Sequence, residues 1–121
     1  MRALAIMAVM SICLTAVGCH SAVISVIVSN HRDTPVTLVE VDYPSASFGI
    51  QELAPGAHYL YKFKVIGNGP ATLLWNEPTK RDQKSSGPVL REGDEGSLTI
   101  TFPPGAPPTW NAQLQNHVLH H

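Results

Sequence analysis

Three histidines close to the carboxyl terminus are the residues of this sequence best suited to hold a metal ion. The chain has six histidines, of which His117, His120 and His121 cluster. Two imidazoles three residues apart, on a helical turn or a flexible segment, both reach one zinc or copper ion. No cysteine or carboxylate lies nearby in the sequence to complete a set of four ligands. A solvated polar tail is therefore the first interpretation, and a metal site in this cluster is its alternative.

Two groups of carboxylates are the next candidates for chemistry. Glu40 and Asp42 share one face of a predicted strand, because side chains alternate between faces with a period of two. Glu92, Asp94 and Glu95 crowd a single short segment. Repulsion between neighbouring carboxylates raises a carboxyl pKa, as acid-base catalysis requires. No insertion beside either group supplies a pocket, so solvated surface is the first interpretation and a small hydrolase is the alternative.

The sequence lacks the short motifs that mark common catalytic sites. It contains no Gly-x-Ser-x-Gly nucleophile turn, no His-Glu-x-x-His zinc motif, no glycine-rich phosphate loop and no Cys-x-x-Cys pair. We therefore expect no catalytic residue, no cofactor and no enzymatic activity.

The amino-terminal segment has the pattern of a secretory signal peptide. A cationic start at Arg2 precedes the mostly apolar residues 3–17, and small residues lead up to Cys19. The 15 apolar-segment residues extend about 22 Å as a helix, which is less than the ~30 Å hydrocarbon core of a bilayer. Cleavage is therefore expected in preference to a permanent membrane-spanning helix.

The segment Thr15-Ala16-Val17-Gly18-Cys19 resembles the lipobox of bacterial lipoprotein precursors. The resemblance covers only the first nineteen residues of the chain. It implies that the Cys19 thiol is diacylated and that the chain is cut between Gly18 and Cys19. Residues 1–18 would then be the signal peptide, and residues 19–21 the lipid-attachment segment.

The two cysteines are consistent with this resemblance. Cys13 would leave with the signal peptide, so Cys19 would have no partner for an intramolecular disulfide. Ala16 stands where the lipoprotein family usually has Leu, and ordinary secretion and an uncleaved anchor are the alternatives. In similar lipoproteins an Asp after the cysteine tends to retain the chain in the inner membrane. His20 and Ser21 stand there instead, which favours the outer membrane.

Removal of residues 1–18 would leave 103 residues, the size of one domain with one core. Seven basic and nine acidic side chains would give a net charge of about −2 with neutral histidines. The basic residues are spread along the chain, with only Lys80 and Arg81 adjacent, so no basic stripe is present for a phosphate backbone. We expect no nucleic-acid partner.

Two-residue alternation of apolar and polar side chains, broken by Gly- and Pro-containing turns, predicts seven short strands. They lie near residues 23–29, 37–43, 48–53, 59–66, 71–75, 80–86 and 97–102. The mature chain has no helical period of useful length. This pattern predicts an all-β fold: a single antiparallel β-sandwich of immunoglobulin-like character after an N-terminal signal helix.

Some strands carry more specific expectations. Residues 23–29 are rich in Val and Ile, which predicts a central strand covered on both faces. Residues 80–86 are polar and charged, as in an exposed edge strand. Near the start of residues 36–43, either of the two alternating sets is able to face inward. In residues 59–66 the predicted inward set is Tyr59, Tyr61, Phe63 and Val65.

The β-sandwich is predicted to occupy residues 22–102. Four of the six residues 103–108 are prolines, which lack the amide donors that a sheet requires. Residues 103–121 are therefore interpreted as a Pro-rich and then polar C-terminal tail. One interpretation of this tail is a frayed terminus with room for one or two helical turns, and the other is docking of Trp110 on the sandwich.

Three aromatic side chains are predicted to form a partner surface. Tyr43 and Phe48 flank the segment Pro44-Ser45-Ala46-Ser47, and Trp110 follows the proline run. Loops and termini carry recognition more often than strand interiors do, and aromatic residues often dominate binding surfaces.

Together these patterns predict a small exported lipoprotein without catalytic activity. A covalent lipid on Cys19 would hold the β-sandwich in the bacterial cell envelope, with the outer membrane favoured. The domain would act as a binding or structural module for an unidentified envelope protein or glycan. A secreted or periplasmic metal-binding protein that uses the histidine cluster is the first alternative, and a small hydrolase that uses the surface carboxylates is the second.

Overall fold

A computed structural model describes residues 21–116, while residues 1–20 and 117–121 lie outside the described part. The described chain contains β-strands joined by turns and no helix. Its strands are β1 (Ile24–Asn30), β2 (Val36–Tyr43), β3 (Ala46–Leu53), β4 (His58–Phe63), β5 (Gly69–Asn76), β6 (Gln83–Leu90), β7 (Asp94–Phe102) and β8 (Thr109–Asn116).

The strands form two four-stranded sheets that pack face to face. The first sheet has the order β4-β1-β7-β8, and the second has the order β3-β2-β5-β6. Neighbouring strands are antiparallel except for β1 and β7, which run parallel. The predicted all-β sandwich of immunoglobulin-like character is therefore confirmed.

Two-residue alternation gives each strand an inward and an outward face. In β1, Ile24 and Val28 are fully buried, whereas Ile27 between them is 38% exposed. Burial of each such aliphatic side chain contributes about 1.5–3 kcal/mol to stability. β1 is central in its sheet as expected, but the prediction that both of its faces are covered is wrong, because its outward face is open.

The core lies between the two sheets and ends at a buried polar residue. The rings of Trp75 and Phe102 meet edge to face with centroids 5.5 Å apart. At the end of β1, Asn30 is fully buried, and its amide nitrogen donates to the carbonyl oxygens of Leu53 and Thr34 at 2.9 and 3.0 Å. These bonds satisfy the amide and fix where the chain leaves β1.

A β-bulge in β2 settles which of its alternating sets faces inward. Leu38 has a positive φ of 49° and is 55% exposed, and the pairing of β2 with β5 shifts register at this point. Val36 and Val39, three residues apart, are consequently both buried. The set that contains Val36 therefore faces inward before the bulge, and the set that contains Val39 faces inward after it, so each alternative is correct on one side.

The prediction that the sandwich ends at residue 102 is wrong. Residues 109–116 form an eighth strand, β8, which pairs with β7 in unbroken register from Thr109 to Asn116. The prolines occupy only the connection between β7 and β8, where no sheet amide is needed. The described part of the predicted tail is therefore part of the sandwich and contains no helical turn.

Two other strand predictions are partly correct. β6 lies at a sheet edge as expected for residues 80–86, but it begins at Gln83 and runs to Leu90. In the predicted inward set of β4 and the loop after it, Phe63 and Val65 are buried, whereas Tyr59 is 36% exposed. Tyr59 is the second residue of edge strand β4, where an inward-pointing side chain is not necessarily covered by the opposite sheet.

Candidate functional site

Arg32, in the turn after β1, bonds to several distant segments of the chain at once. Its Nε donates to the carbonyl of Pro103 at 3.0 Å, and its Nη2 donates to the carbonyl of Ala106 at 2.7 Å. Its Nη1 lies 2.9 Å from Oε2 of Glu77. The guanidinium carbon also lies 5.4 Å from the ring centroid of Phe102. One side chain therefore joins the β1–β2 turn, the end of β5 and the proline-rich connection.

Glu77 completes this cluster on the side of the second sheet. Its Oε2 accepts the indole N–H of Trp75 at 2.8 Å in addition to the Arg32 contact. The hydrogen bond from Trp75, supported by Arg32 and Lys80, lowers the pKa of the Glu77 carboxyl below its ordinary value of 4.5. Glu77 is therefore a fixed, charged acceptor that is poorly suited to act as a general acid.

A cleft of about 510 Å³ opens beside these residues, with Lys80 and Lys84 on its rim. The Arg32 donors and the Glu77 carboxylate that line it are already bonded to each other or to backbone carbonyls. The cluster's evident role is to hold the connection that leads into β8.

The predicted group of Glu92, Asp94 and Glu95 lies at the turn from β6 into β7. Asp94 is 6% exposed, and its Oδ2 accepts the backbone N–H of Arg91 at 2.9 Å. Its Oδ1 accepts the side-chain amide of Asn116 at 2.8 Å. The Oε1 of Glu92 accepts the N–H of Gly67 at 2.9 Å. Asp94 and Glu92 thus tie loops and the end of β8 together.

The other carboxylate pair is brought together as predicted. Glu40 and Asp42 interact on the outer face of the second sheet, and their hydrogen bond and like charges raise the pKa of Glu40 above its ordinary value of 4.5. Glu40 is exposed, and neither carboxylate lines the Arg32 cleft. This pair has the like-charge repulsion of an acid-base site, on a strand face that is open to solvent at Glu40.

Tyr43 and Phe48 of the predicted partner surface lie where their rings close one side of the sandwich, so the exposure expected of Phe48 is not found. Phe48 is 7% exposed and stacks on Tyr61 at a centroid distance of 4.2 Å. Tyr43 meets the edge of Phe63 at 3.9 Å, and burial raises its pKa above its ordinary value of 10.0. These rings fill the gap between edge strands β3 and β4, which belong to opposite sheets.

Trp110 closes the opposite side, between edge strands β6 and β8. Its indole N–H donates to the hydroxyl of Ser85 at 3.0 Å, and its ring covers Gly87 so closely that an added Cβ would lie 2.6 Å from it. The docked alternative for Trp110 is therefore correct, and its place in a partner surface stays a prediction. Gly87 is the sequence signal that a large side chain approaches β6.

The outer face of the first sheet carries mainly hydroxyl and amide side chains along β1, β7 and β8, and we call this surface the hydroxyl face. Its outward residues alternate with buried ones along β1 and along residues 97–102 of β7, and along β8 the partly buried Trp110 and Leu114 point inward. Strand register aligns Ser29 with Thr101 and Thr109, and it aligns Ser25 with Ser97 and Gln113. The face consists of Ser25, Ser29, Ser97, Thr99, Thr101, Thr109, Asn111 and Gln113.

An apolar depression of about 420 Å³ lies at one side of the hydroxyl face, between β1 and β4. Ile27 and Leu60 are directly opposite each other across these strands and are 38% and 64% exposed. Lys62 and Ser25 form the neighbouring cross-strand pair on the same face of the sheet. This surface offers hydroxyl and amide hydrogen bonds around one apolar contact, which suits binding more than catalysis.

Several predicted site residues fall outside the described part of the chain. These are Gly18 and Cys19 of the lipobox-like segment, and His117, His120 and His121. Within residues 21–116, no group of three or more His, Cys, Asp or Glu side chains is placed to hold a metal ion. That same range holds no helix that is long and apolar enough to cross a membrane.

Comparison of the chain with protein-family models, with curated proteins and with solved structures finds no match.

Proposed function

We propose that this protein is a non-catalytic β-sandwich of the bacterial cell envelope, held to a membrane by lipid on Cys19, that acts as a binding or structural module. The observation that carries the proposal is the Met1–Cys19 pattern, which ends five residues before the first strand begins at Ile24. An extended chain of five residues spans at most about 17 Å. A lipid on Cys19 would therefore keep the sandwich against the membrane surface.

Retention by lipid follows from the arithmetic of membrane binding. A single acyl chain gives only marginal, reversible anchoring, whereas two or more chains give lasting retention. The lipobox resemblance implies a diacylated cysteine, whose two acyl chains would give lasting retention. A module tethered this closely meets components of the envelope at the membrane surface, such as a protein or a glycan.

We assign partner binding to the hydroxyl face. Charges tend to fix register and suppress wrong partners, but hydroxyl and amide groups act as both donors and acceptors and thus suit glycan hydroxyls or a protein backbone. Ile27 and Leu60 add the apolar contact that a stable interface needs. The Arg32–Glu77 cluster and the Glu92–Asp94 group are occupied in holding loops, which supports a binding role over a hydrolytic one.

Site-specific photo-crosslinking in living bacteria tests this assignment. A photoreactive residue at Ser97, which is exposed on the hydroxyl face, is expected to form a discrete adduct with an envelope component. Ser47, exposed on edge strand β3 of the second sheet, is the matched control and is expected to form no such adduct. Equal adducts from both positions, or none from Ser97, would contradict the assignment.

A further inference from the structure

β8 is an edge strand without the features that usually prevent strands from pairing with other chains. In the part of the chain that the structure describes, it is bonded within its sheet to β7 alone. Its eight residues pair with β7 without a register shift, and none of them is charged, glycine or proline. Edge strands normally carry charges, prolines, bulges or short lengths, because their free N–H and C=O groups are a template for another strand.

The other three edges of the sandwich have such features. β6 contains Lys84 and Pro88, and a register shift interrupts its pairing with β5. β4 has only six residues and includes Lys62. β3 includes Glu52 as well as Gly49. The contrast singles out β8 as the edge at which a regular, uncharged strand is presented.

β8 is also held firmly in place for pairing. Trp110 packs under Gly87 and donates to Ser85, which fixes the start of the strand against β6. At its other end, Asn116 donates to the carboxylate of buried Asp94 and to the carbonyl of Glu92. A strand that is ordered before it meets a partner loses less conformational entropy on pairing.

The side chains of β8 fit a second copy of the same strand. Asn111, Gln113 and Gln115 are exposed neutral amides, each of which both donates and accepts hydrogen bonds. Across a two-fold axis each strand meets its own side chains, so a charged residue near the axis would face its own charge. Neutral amides pair with one another without that repulsion.

From these observations we propose that β8 pairs antiparallel with β8 of a second copy of this chain. The first sheet of one copy then joins the first sheet of the other in one continuous eight-stranded sheet, and the hydroxyl faces of both copies lie on the same side of it. The pairing uses the backbone edge and the outward amides, and it does not depend on a lipid at Cys19.

Sedimentation velocity of the purified full chain in density-matched detergent tests the inference. Wild type is expected to sediment with the mass of two chains at about 10–100 μM and to dissociate on dilution. The double variant N111K/Q113K places lysines on the edge and is expected to raise the dissociation constant about tenfold or more. The matched control S47K/Q51K makes the same neutral-to-lysine changes on edge strand β3 and is expected to remain dimeric.

Thermal unfolding of each variant separates loss of pairing from loss of folding. If N111K/Q113K unfolds early, the single variant Q113E gives the same like-charge test with a smaller change. A wild-type chain that stays monomeric throughout this concentration range would overturn the inference. Dimers that survive folded N111K/Q113K or Q113E, or that are lost in S47K/Q51K, would also overturn it.

Discussion

Side-chain hydrogen bonds in this molecule join segments that are distant in sequence. Arg32 reaches the carbonyls of Pro103 and Ala106, and it pairs with Glu77 from the other sheet. Planar guanidinium groups suit such multidentate contacts, because their donors point in fixed directions. The proline-rich connection thereby gains a defined path to β8 without a backbone ladder of its own.

The depressed pKa of Glu77 predicts a specific loss of stability in acid. A carboxyl group whose folded pKa lies below its unfolded value stabilises the fold fully above the unfolded value, and this contribution disappears as the pH falls through the folded value. Wild-type stability is therefore expected to decline as the pH falls below about 4.5. The variant Glu77→Gln is expected to lack this part of the decline.

Urea unfolding at a series of pH values checks the Glu77 prediction. The variant Glu52→Gln removes an exposed carboxyl of β3 and serves as the matched control, whose acid profile is expected to follow that of wild type. Identical acid profiles for Glu77→Gln and wild type would show that the cluster with Trp75 and Arg32 does not stabilise the charged carboxyl.

The positions of Tyr43 and Phe48 were not predictable from the sequence. Tyr43 and Phe48 stand beside a turn in sequence, yet their rings face Phe63 and Tyr61 of the opposite sheet. Position next to a turn does not reveal which strands form the edges of a sandwich. That information depends on the order of strands in each sheet, which a single sequence without an inter-sheet disulfide does not define.

At the scale of single elements, β8 depends on two glycines of other strands. An added Cβ at Gly96, which has a φ of 136°, would collide with the carbonyl oxygen of Gln113. An added Cβ at Gly87 would meet the ring of Trp110. Both glycines allow neighbouring groups to approach more closely than a side chain permits.

The variant Gly87→Ala is expected to destabilise the protein by about 1–3 kcal/mol, because overpacking forces Trp110 away from β6. Urea unfolding gives the change in stability, and tryptophan fluorescence reports the altered surroundings of the indole. The matched control is Gly49→Ala in β3, where an added Cβ would have an ordinary contact of 3.5 Å with Val39. A Gly87→Ala variant as stable as Gly49→Ala would contradict the close packing of Trp110.

The strands were more predictable than their exact ends and bulges. Alternation is regular in β1 and, from Ser97 onward, in β7, and hydrophobic burial of one face makes it a strong signal. The bulge at Leu38 was not predictable, because Leu rarely adopts a positive φ and nothing in the sequence marks the position. β8 was missed because its outward Asn and Gln residues hide the inward pair of Trp110 and Leu114.

At the scale of the whole molecule, the sandwich is closed on both open sides by aromatic rings. Phe48 and Tyr61 fill the gap between β3 and β4, and Trp110 fills the gap between β6 and β8. The fold class followed from composition and alternation, since an all-β chain with these turns has few ways to bury its apolar faces. The aromatic closure of each side could not be predicted in this way, because it joins side chains that are far apart in sequence.

The proposed anchor and the proposed pairing together define an orientation. Antiparallel edge pairing within one sheet places the two-fold axis perpendicular to that sheet. Two copies anchored in one membrane require this axis along the membrane normal, so their sheets would lie parallel to the membrane. The reach of about 17 Å between Cys19 and Ile24 is compatible with this arrangement, because the packed sheets are only ~10 Å apart.

Intact mass and detergent-phase partitioning of the protein from a bacterial host test the central claim most directly. Wild type is expected to lack residues 1–18, to carry an added lipid mass and to enter the detergent phase. The variant Cys19→Ser is expected to lose the lipid and to stay in the aqueous phase, whereas the control Cys13→Ser is expected to behave as wild type. Wild-type protein without lipid mass that partitions like Cys19→Ser would contradict the account of a lipid-held envelope module.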